Sequence, residues 1–504
     1  MAPRMNLRMK TVALAVAGLC TALPAFAGDA SQTELIKELK RLSERLEKLE
    51  KHNAELEKKL QGQADPLGPR VKALEEYTAR IEKGLASENV SENEPELTAR
   101  LKAAEYQGLE MQKSSKVVES LDGIKAGASF TTVAQKASGI ENKDTHLNYR
   151  TDITVSTPAG TMGDTTGMLF GHFRIGQGKG VSDVLTAFSG PNATAFQLGT
   201  ADLADTTAVM LAQAWYQADI PLPVGGFKPR SRETLTVNFG KMDPFGFFDQ
   251  NRAANDEGRQ FLSSIFVHNA LLDNPMAANV GADAYGFTPG VRLSYLNEKS
   301  KPENYRLSLG VFGAGQGANF SQAFTSPFVI AQAETKQIFY GLEGNYRAYA
   351  WRNGQAPSYS GETVSHRGLG FNFDQRLGDY TTLFGRYGKG WGEGHPFDQT
   401  LSLGAEFGGS YWDRGGDALG VALGANKVSA DFQRDSASVD ADGDGNPDFG
   451  FQASGAEKVM EIYYRYRLNS QFEITPDFQY IHNPAGNGAA PSVKILGARA
   501  QLMF

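Results

Sequence analysis

A single cysteine, Cys20, occurs in the 504 residues. Disulfide scaffolds, thiolate metal sites and cysteine nucleophiles are thereby excluded from the chain beyond it. No stretch of about 18 apolar residues exists, which excludes a membrane protein built from helices. A membrane β-barrel stays open, because its strands carry no such runs. A basic surplus is also missing. Lys+Arg 50 against Asp+Glu 57 gives a net charge of -7, the wrong sign for a nucleic-acid binder. The 56 glycines keep no Gly-X-Y period, so the chain is not collagenous. The 7 histidines are scattered without H-E-x-x-H, and neither G-x-S-x-G nor a phosphate loop is found. No enzyme is read from this chain. Aromatics at 10% argue against general disorder.

The start of the chain reads as a secretory leader. Arg4, Arg8 and Lys10 precede a short apolar stretch over 11–23, and Ala25-Phe26-Ala27 is a small-x-small cleavage site. We assign 1–27 as a signal peptide; its apolar stretch is too short to span a bilayer. Cys20 leaves with it. Residues 28–62 read as an α-helical coiled coil. Leu35, Leu39, Leu42, Leu46, Leu49, Asn53, Leu56 and Leu60 alternate spacings of 4 and 3, an a/d seam that needs partner chains. Asn53 at an a position fixes register at some cost in stability. Asp65-Pro66-Leu67-Gly68-Pro69 breaks the helix. Shorter seams (Val71, Leu74, Thr78, Ile81, Leu85; then Leu97, Leu101, Ala104, Met111) make 63–120 a helical stalk and linker.

From residue 121 to 504 the period becomes 2. Leu235, Val237 and Phe239 oppose Thr234, Thr236 and Asn238. Tyr340, Leu342, Tyr346 and Ala348 oppose Glu343, Asn345 and Arg347; Ile462, Tyr464 and Tyr466 oppose Glu461, Arg465 and Arg467. About fifteen such segments are found, one of them beginning near Gln337 and running through Ala348. The segment Thr157-Pro158-Ala159-Gly160 reads as a tight turn, while 178–205 and 436–455 read as long outer loops. Charged residues opposite an apolar face, strand after strand, fit a wet lumen and a lipid-facing exterior. The chain closes with Leu496, Ala498, Ala500, Leu502 and Phe504 on one face. Such a terminal strand resembles the one recognised by the outer-membrane insertion machinery of Gram-negative bacteria. The expected fold is an all-β transmembrane barrel, antiparallel and of about 16 strands, preceded by the coiled coil. The barrel is expected in the cell outer membrane and the coiled coil in the periplasm.

Several stretches resemble the carbohydrate-selective porin (OprB-type) family. They are Gly240-Lys241-Met242-Asp243, Phe248-Asp249-Gln250-Asn251, Ala254-Asn255-Asp256-Glu257 and Gln260-Phe261-Leu262. Further along come Tyr346-Arg347-Ala348-Tyr349-Ala350-Trp351, Asp374-Gln375-Arg376-Leu377, Leu383-Phe384-Gly385-Arg386-Tyr387-Gly388 and Thr475-Pro476-Asp477-Phe478. The resemblance implies a sixteen-stranded barrel, usually trimeric, that passes sugars by diffusion. The N-terminal coiled coil departs from the compact members.

A selective sugar pore needs donors, acceptors and aromatic faces at a constriction. The segment 243–273 is too long and polar for a turn and is expected to fold inward. Its candidate substrate-binding residues are Asp249, Asn251, Asn255, Asp256, Glu257, Arg259 and Gln260. On the wall the candidates are Glu343, Arg347, Arg386, Arg465 and Asp477, with Glu461, Arg467 and Gln479 beside them. Each can either brace the loop or touch solute. Trp215, Trp351, Trp391 and Trp412 are open to two roles, sugar platform or interface girdle. Asp440, Asp442, Asp444, Asn446 and Asp448 match the first part of an EF-hand-like loop, with Phe451 where the bidentate Glu belongs. No cofactor is required; a Ca2+ ion in this outer loop is the one metal expectation. The partners expected are permeating sugars, outer-membrane lipid, two further copies in a homotrimer, and peptidoglycan or cell wall at the stalk; nucleic acid is not among them. The alternatives are a general, phosphate or amide porin, and a tether joining outer membrane to cell wall.

Overall fold

The computed structural model describes residues 76, 123–196, 208–224, 231–274, 286–315, 320 and 322–504. Apart from residue 76, the leader, coiled coil and stalk lie outside these residues. The rest is a run of strands: β1 (Lys125–Ser138), β2 (Thr145–Met162), β3 (Thr165–Gln177), β4 (Ala208–Leu222), β5 (Glu233–Met242) and β6 (Thr288–Asn297). Then come β7 (Asn304–Phe312), β8 (Phe328–Phe339), β9 (Leu342–Pro357), β10 (Thr363–Arg376) and β11 (Thr381–Trp391). The series ends with β12 (Phe397–Gly408), β13 (Ala418–Val428), β14 (Ala456–Arg467), β15 (Phe472–His482) and β16 (Val493–Met503). Each pairs antiparallel with its neighbours in the chain, and β1 pairs with β16, closing a barrel of 16 strands. Closure satisfies every strand's hydrogen-bonding edge, which a sheet in lipid requires. Phe504 completes the seam: its N–H donates to the Ala128 carbonyl at 2.8 Å, and Ala128 N–H donates to the Phe504 carbonyl at 3.1 Å.

The alternation read from sequence sets the two faces. On β14, Glu457, Glu461 and Tyr463 are buried inside, while Met460, Ile462 and Tyr464 look outward. Leu307, Leu309, Phe371, Leu403, Leu423 and Leu496 are exposed apolar side chains on outward faces, the inverse of a soluble sheet and the pattern lipid requires. Connections at one end are short, as at 163–164, 340–341 and 468–471; at the other they are long, as at 178–207, 243–287 and 429–455. A short helix, α2 (Ala430–Asp435), opens the last of these, and α1 (Ser264–Val267) lies within the second.

Two sequence expectations are corrected here. The segment from Gln337 to Ala348 is two strands. Tyr340 (φ 52) and Gly341 (φ 78) make a two-residue turn between β8 and β9, as the I′-type hairpins do. With an aromatic at its first position, that turn carries no polar signal. Thr157 to Gly160 lie within β2, across a register irregularity; the turn falls at 163–164.

The third correction concerns the core. It sits inside the barrel, built by two long connections folding inward. Residues 243–273 do so as expected. Residues 180–196, expected in an outer loop, do so too: Val181, Phe188, Ser189, Thr194 and Phe196 are buried. Their apolar side chains are inserted among polar ones, so no period marked them. Gly388 and Gly424 let the loop approach the wall. A side-chain carbon at either would fall 2.7 Å from Asn269 or 2.8 Å from Ile265.

A constriction inside the barrel as the candidate functional site

The inserted segment 243–273 is held by charge buried against the wall. Asp249 is fully buried with φ 55, and its carboxylate faces Arg386 of β11 at 3.0 Å. The same carboxylate accepts from Tyr349 Oη of β9 (3.0 Å), Asn372 Nδ2 of β10 (2.6 Å) and the Asn269 amide (2.7 Å). Arg386 spends its other donors on the carbonyls of Asp249, Ala254 and Phe266. Asn251 Nδ2 donates to Asn372 Oδ1 and the Phe373 carbonyl. Farther along, Glu461 of β14 accepts from the Leu262 and Ser263 amides at 2.6 and 2.9 Å. Arg259 forms a fork to Glu473 of β15 at 2.6 and 2.9 Å, the strong bidentate geometry. Arg499 of β16 donates to the carbonyls of Glu257 and Gln260.

The 180–196 segment docks by the same device. Glu457 of β14 accepts from the amides of Phe188, Ser189 and Ala485. Gln135 and Gln479 both donate to the Pro191 carbonyl. The two inserted segments also pair with each other: Ala193 N–H donates to Leu262 O, and Ser264 and Ile265 N–H donate to Gly190 and Ser189 O. Phe261 packs on Tyr463, Phe384 and Phe266. Buried polar groups cost free energy unless paired, and here carboxylates on the wall satisfy backbone amides of the loops.

Between the segments and β3 a cavity of about 720 Å³ stays open, within the range that holds a small organic ligand. Arg174, Asn192, Gln250, Asn255, Glu257 and Asp273 line it. Its charge is organised by Asp152 of β2. That carboxylate meets Arg150 at 2.8 Å, Arg174 at 2.7 Å and His172 at 2.7 Å, and Arg150 reaches Glu257 at 2.8 Å. Burial opposes ionisation of Glu257, but Arg150 and Arg174 outweigh it and hold the carboxyl below its usual range. Enclosure pushes Asp243 up to about 6, with Asp273 adding to the rise and His268 opposing it. Burial disfavours a charged His268, yet its hydrogen bond to Asp273 raises it above the usual histidine value. Toward the short-turn end, Phe170 and Trp215 stack at 4.7 Å, Phe247 packs on Trp215 at 5.4 Å, and Arg292 covers Phe247 at 5.0 Å. All three rings are part-exposed.

The proposed residues therefore divide. Asn255 and Glu257 reach the open cavity. Asp256 is exposed on the loop. Asp249, Asn251, Gln260, Arg259 and Arg386 are braces. Gln260 Oε1 accepts from the Asn255 and Asp256 amides. Arg347 lies between Asp374 at 2.9 Å and Glu334 at 3.2 Å, and Glu343 joins Lys336 to Arg252. Arg465 reaches Glu406 and Glu473 at 3.7 and 3.8 Å, and buried Asp477 accepts from Gln479. Of the tryptophans, Trp215 faces the lumen, Trp351 is buried against His366, Trp391 is exposed outward, and Trp412 donates to Tyr464 Oη. Arg150, Asp152, His172 and Arg174 were not among the candidates. Their signal was present, since Arg150, Asp152 and Thr154 alternate with Thr151, Ile153 and Val155. In the Asp-rich loop, Asp440, Asp442 and Asp444 each bring an oxygen within 4.8 Å of the others, all exposed. Asp440 there accepts from the Gly443, Asp444 and Gly445 amides, Asn446 donates its amide to Asp444, and Asp448 caps Ala441.

A family model for the carbohydrate-selective porin, OprB family, matches residues 98–504. The chain belongs to that family. Its barrel is that of an outer-membrane channel. Among solved structures it is similar to the high-pH structure of Pseudomonas putida OprB, with 16% identity and a TM-score of 0.57. That match covers 77% of this chain and 96% of the other. The low-pH structure of the same protein matches at 14% identity and TM-score 0.43, covering 77% and 95%. A Vibrio cholerae OmpT variant lacking loop L8 matches at 11% and 0.42, covering 76% and 100%. Among curated proteins no sequence matches.

Proposed function

We propose that this porin passes small neutral sugars by passive diffusion, with the constriction between the two inserted segments as its selective element. A sugar carries hydroxyls around a ring with apolar C–H faces. The observation that carries this reading is a mixed set of donors and acceptors on the open cavity, to which the stacked Phe170, Trp215 and Phe247 are tied through Trp215, Gln213, His172 and Asp152. Rings offer contact to C–H faces, and Arg174, Glu257 and Asn255 offer hydrogen bonds to hydroxyls. Dispersed, shared contacts favour entry without trapping. A phosphate pore wants unpaired cations; here Arg150 and Arg174 are matched by Asp152 and Glu257. In this reading the long-loop end faces outward, the barrel assembles as a homotrimer, and the coiled coil extends into the periplasm as an oligomerising stalk. Removing residues 31–112 separates a clamp from a wall tether: one lowers oligomer stability, the other releases the envelope.

The test is single-channel conductance in a planar bilayer, titrated with glucose, a disaccharide and phosphate. Saturable block by sugars without block by phosphate is expected. Open conductance insensitive to every sugar overturns the reading.

A further inference from the structure

On one side of the barrel the outer wall carries its charge at one level. At the long-loop end of five consecutive strands, outward faces present Lys427 (β13), Lys458 (β14), His482 (β15), Lys494 (β16) and Lys136 (β1), all exposed. The registers make them one row. Lys458 is opposite His482; Lys494 is opposite Tyr480, diagonal to His482; Lys136 is opposite Leu496, diagonal to Lys494; and Lys427 is opposite Ala456, diagonal to Lys458. Direct and diagonal neighbours lie within reach of long side chains. None of the five has an ion-pair partner among the described residues. The outward positions of these strands hold no acid at all: β14, for example, continues Met460, Ile462, Tyr464, Tyr466. From Lys458 to Tyr466 is about 27 Å along the strand and about 20 Å along a tilted barrel's axis, so the row sits near headgroup level.

Directly beneath the row lies an apolar groove of about 610 Å³ on the outside of the barrel. Leu401, Leu403, Leu423 and Met460 floor it, and Lys458 and His482 close its upper end. Anionic charge at the row and hydrocarbon below it describe one molecule. We propose that this face binds a phosphorylated, acylated lipid of the outer leaflet, its phosphates on Lys458, His482 and Lys494 and an acyl chain in the groove. A second copy related by a two-fold axis fits worse, because an identical face brings cations and no acid to meet them.

The test uses the folded full-length protein in detergent, with lipid retention read by native mass spectrometry. The probes are a bis-phosphorylated acylated disaccharide lipid and the same lipid stripped of phosphate. Selective retention of the phosphorylated form is expected. Lys458→Ala with Lys494→Ala weakens it by roughly tenfold or more, two near-surface cations being lost; Lys458→Arg with Lys494→Arg preserves it, since guanidinium suits phosphate. Leu423→Trp fills the groove with every cation in place and lowers retention as well. Equal retention of both lipids, or of neither, overturns the proposal. So does retention unchanged by Leu423→Trp, or an alanine variant that loses oligomer mass while keeping lipid, which assigns the face to a second copy.

Discussion

Replacing Asp249 by alanine tests whether the constriction is a docked body or a fixed part of the wall. The carboxylate is fully buried and meets Arg386 at 3.0 Å, with three further donors around it. Removing one partner of a buried pair typically costs about 3–5 kcal/mol, because the other charge is stranded. Arg386 keeps three carbonyl acceptors, which places the cost near the low end, about 3 kcal/mol. That cost falls on the loop's docking, since the strand ladders do not use Asp249. The residual anchors at Glu461 and Glu473 hold the far part of the loop, so the near part opens. In a planar bilayer, Asp249→Ala should give a larger, noisier conductance, pass larger sugars and lose sugar block, while the barrel keeps its heat-modifiable mobility on a gel. Pairing Asp249→Leu with Arg386→Met also unpairs the buried carbonyls of Asp249, Ala254 and Phe266 and should open the loop at least as far. Wild-type conductance and block in Asp249→Ala would refute the anchoring role. So would a double variant that behaves as wild type.

Four other outcomes are expected. Trp215→Ala should weaken sugar block roughly fivefold, about 1 kcal/mol of ring contact, with open conductance little changed; unaltered block would remove the ring from the pathway. Asp243, pushed up to about 6, is neutral below that pH and anionic above it. Raising the pH through about 6 should therefore increase preference for cations over anions in reversal-potential measurements, and Asp243→Asn should flatten the change. Glu461→Ala strands the Leu262 and Ser263 amides, at about 1–3 kcal/mol for each buried unpaired group; faster hydrogen exchange there than in wild type checks it. Deleting Phe504 removes both hydrogen bonds to Ala128 and should lower the thermal midpoint of the assembled barrel.

The barrel was legible because lipid outside and water inside impose period 2 on almost every strand. Where the pattern failed, the cause is local. The Tyr340–Gly341 hairpin has no polar spacer, so β8 and β9 read as one. Within the site, residue type indicated which side chains face inward but not what they meet there. Asp249 and Arg386 are as polar as Asn255 and Glu257, yet the first two are buried in the docking surface and the second two reach the cavity. That distinction depends on how 180–196 and 243–273 pair, a contact between segments far apart in sequence with no periodicity of its own. Trp215 was separable from Trp391 by strand parity; Trp351, inward too, is buried against Tyr349 and His366 of the wall, which parity cannot reveal.

The pairing of the two inserted segments gives the barrel two unlike halves. From β7 round to β16 the inner wall meets Phe248, Phe261, Phe266, Phe188 and their neighbours, and behaves as the interior of a globular protein. Tyr463 or Phe384, nominally pore-lining by direction, should tolerate substitution as poorly as any core residue. Toward β2–β5 the wall meets water, and Arg174, Gln217 or Asn255 can change with consequences for traffic more than for folding. Variation among relatives should accordingly gather on one side of the lumen. The pathway is eccentric, so its chemistry can be retuned by altering that side alone while the packed side keeps the aperture's size.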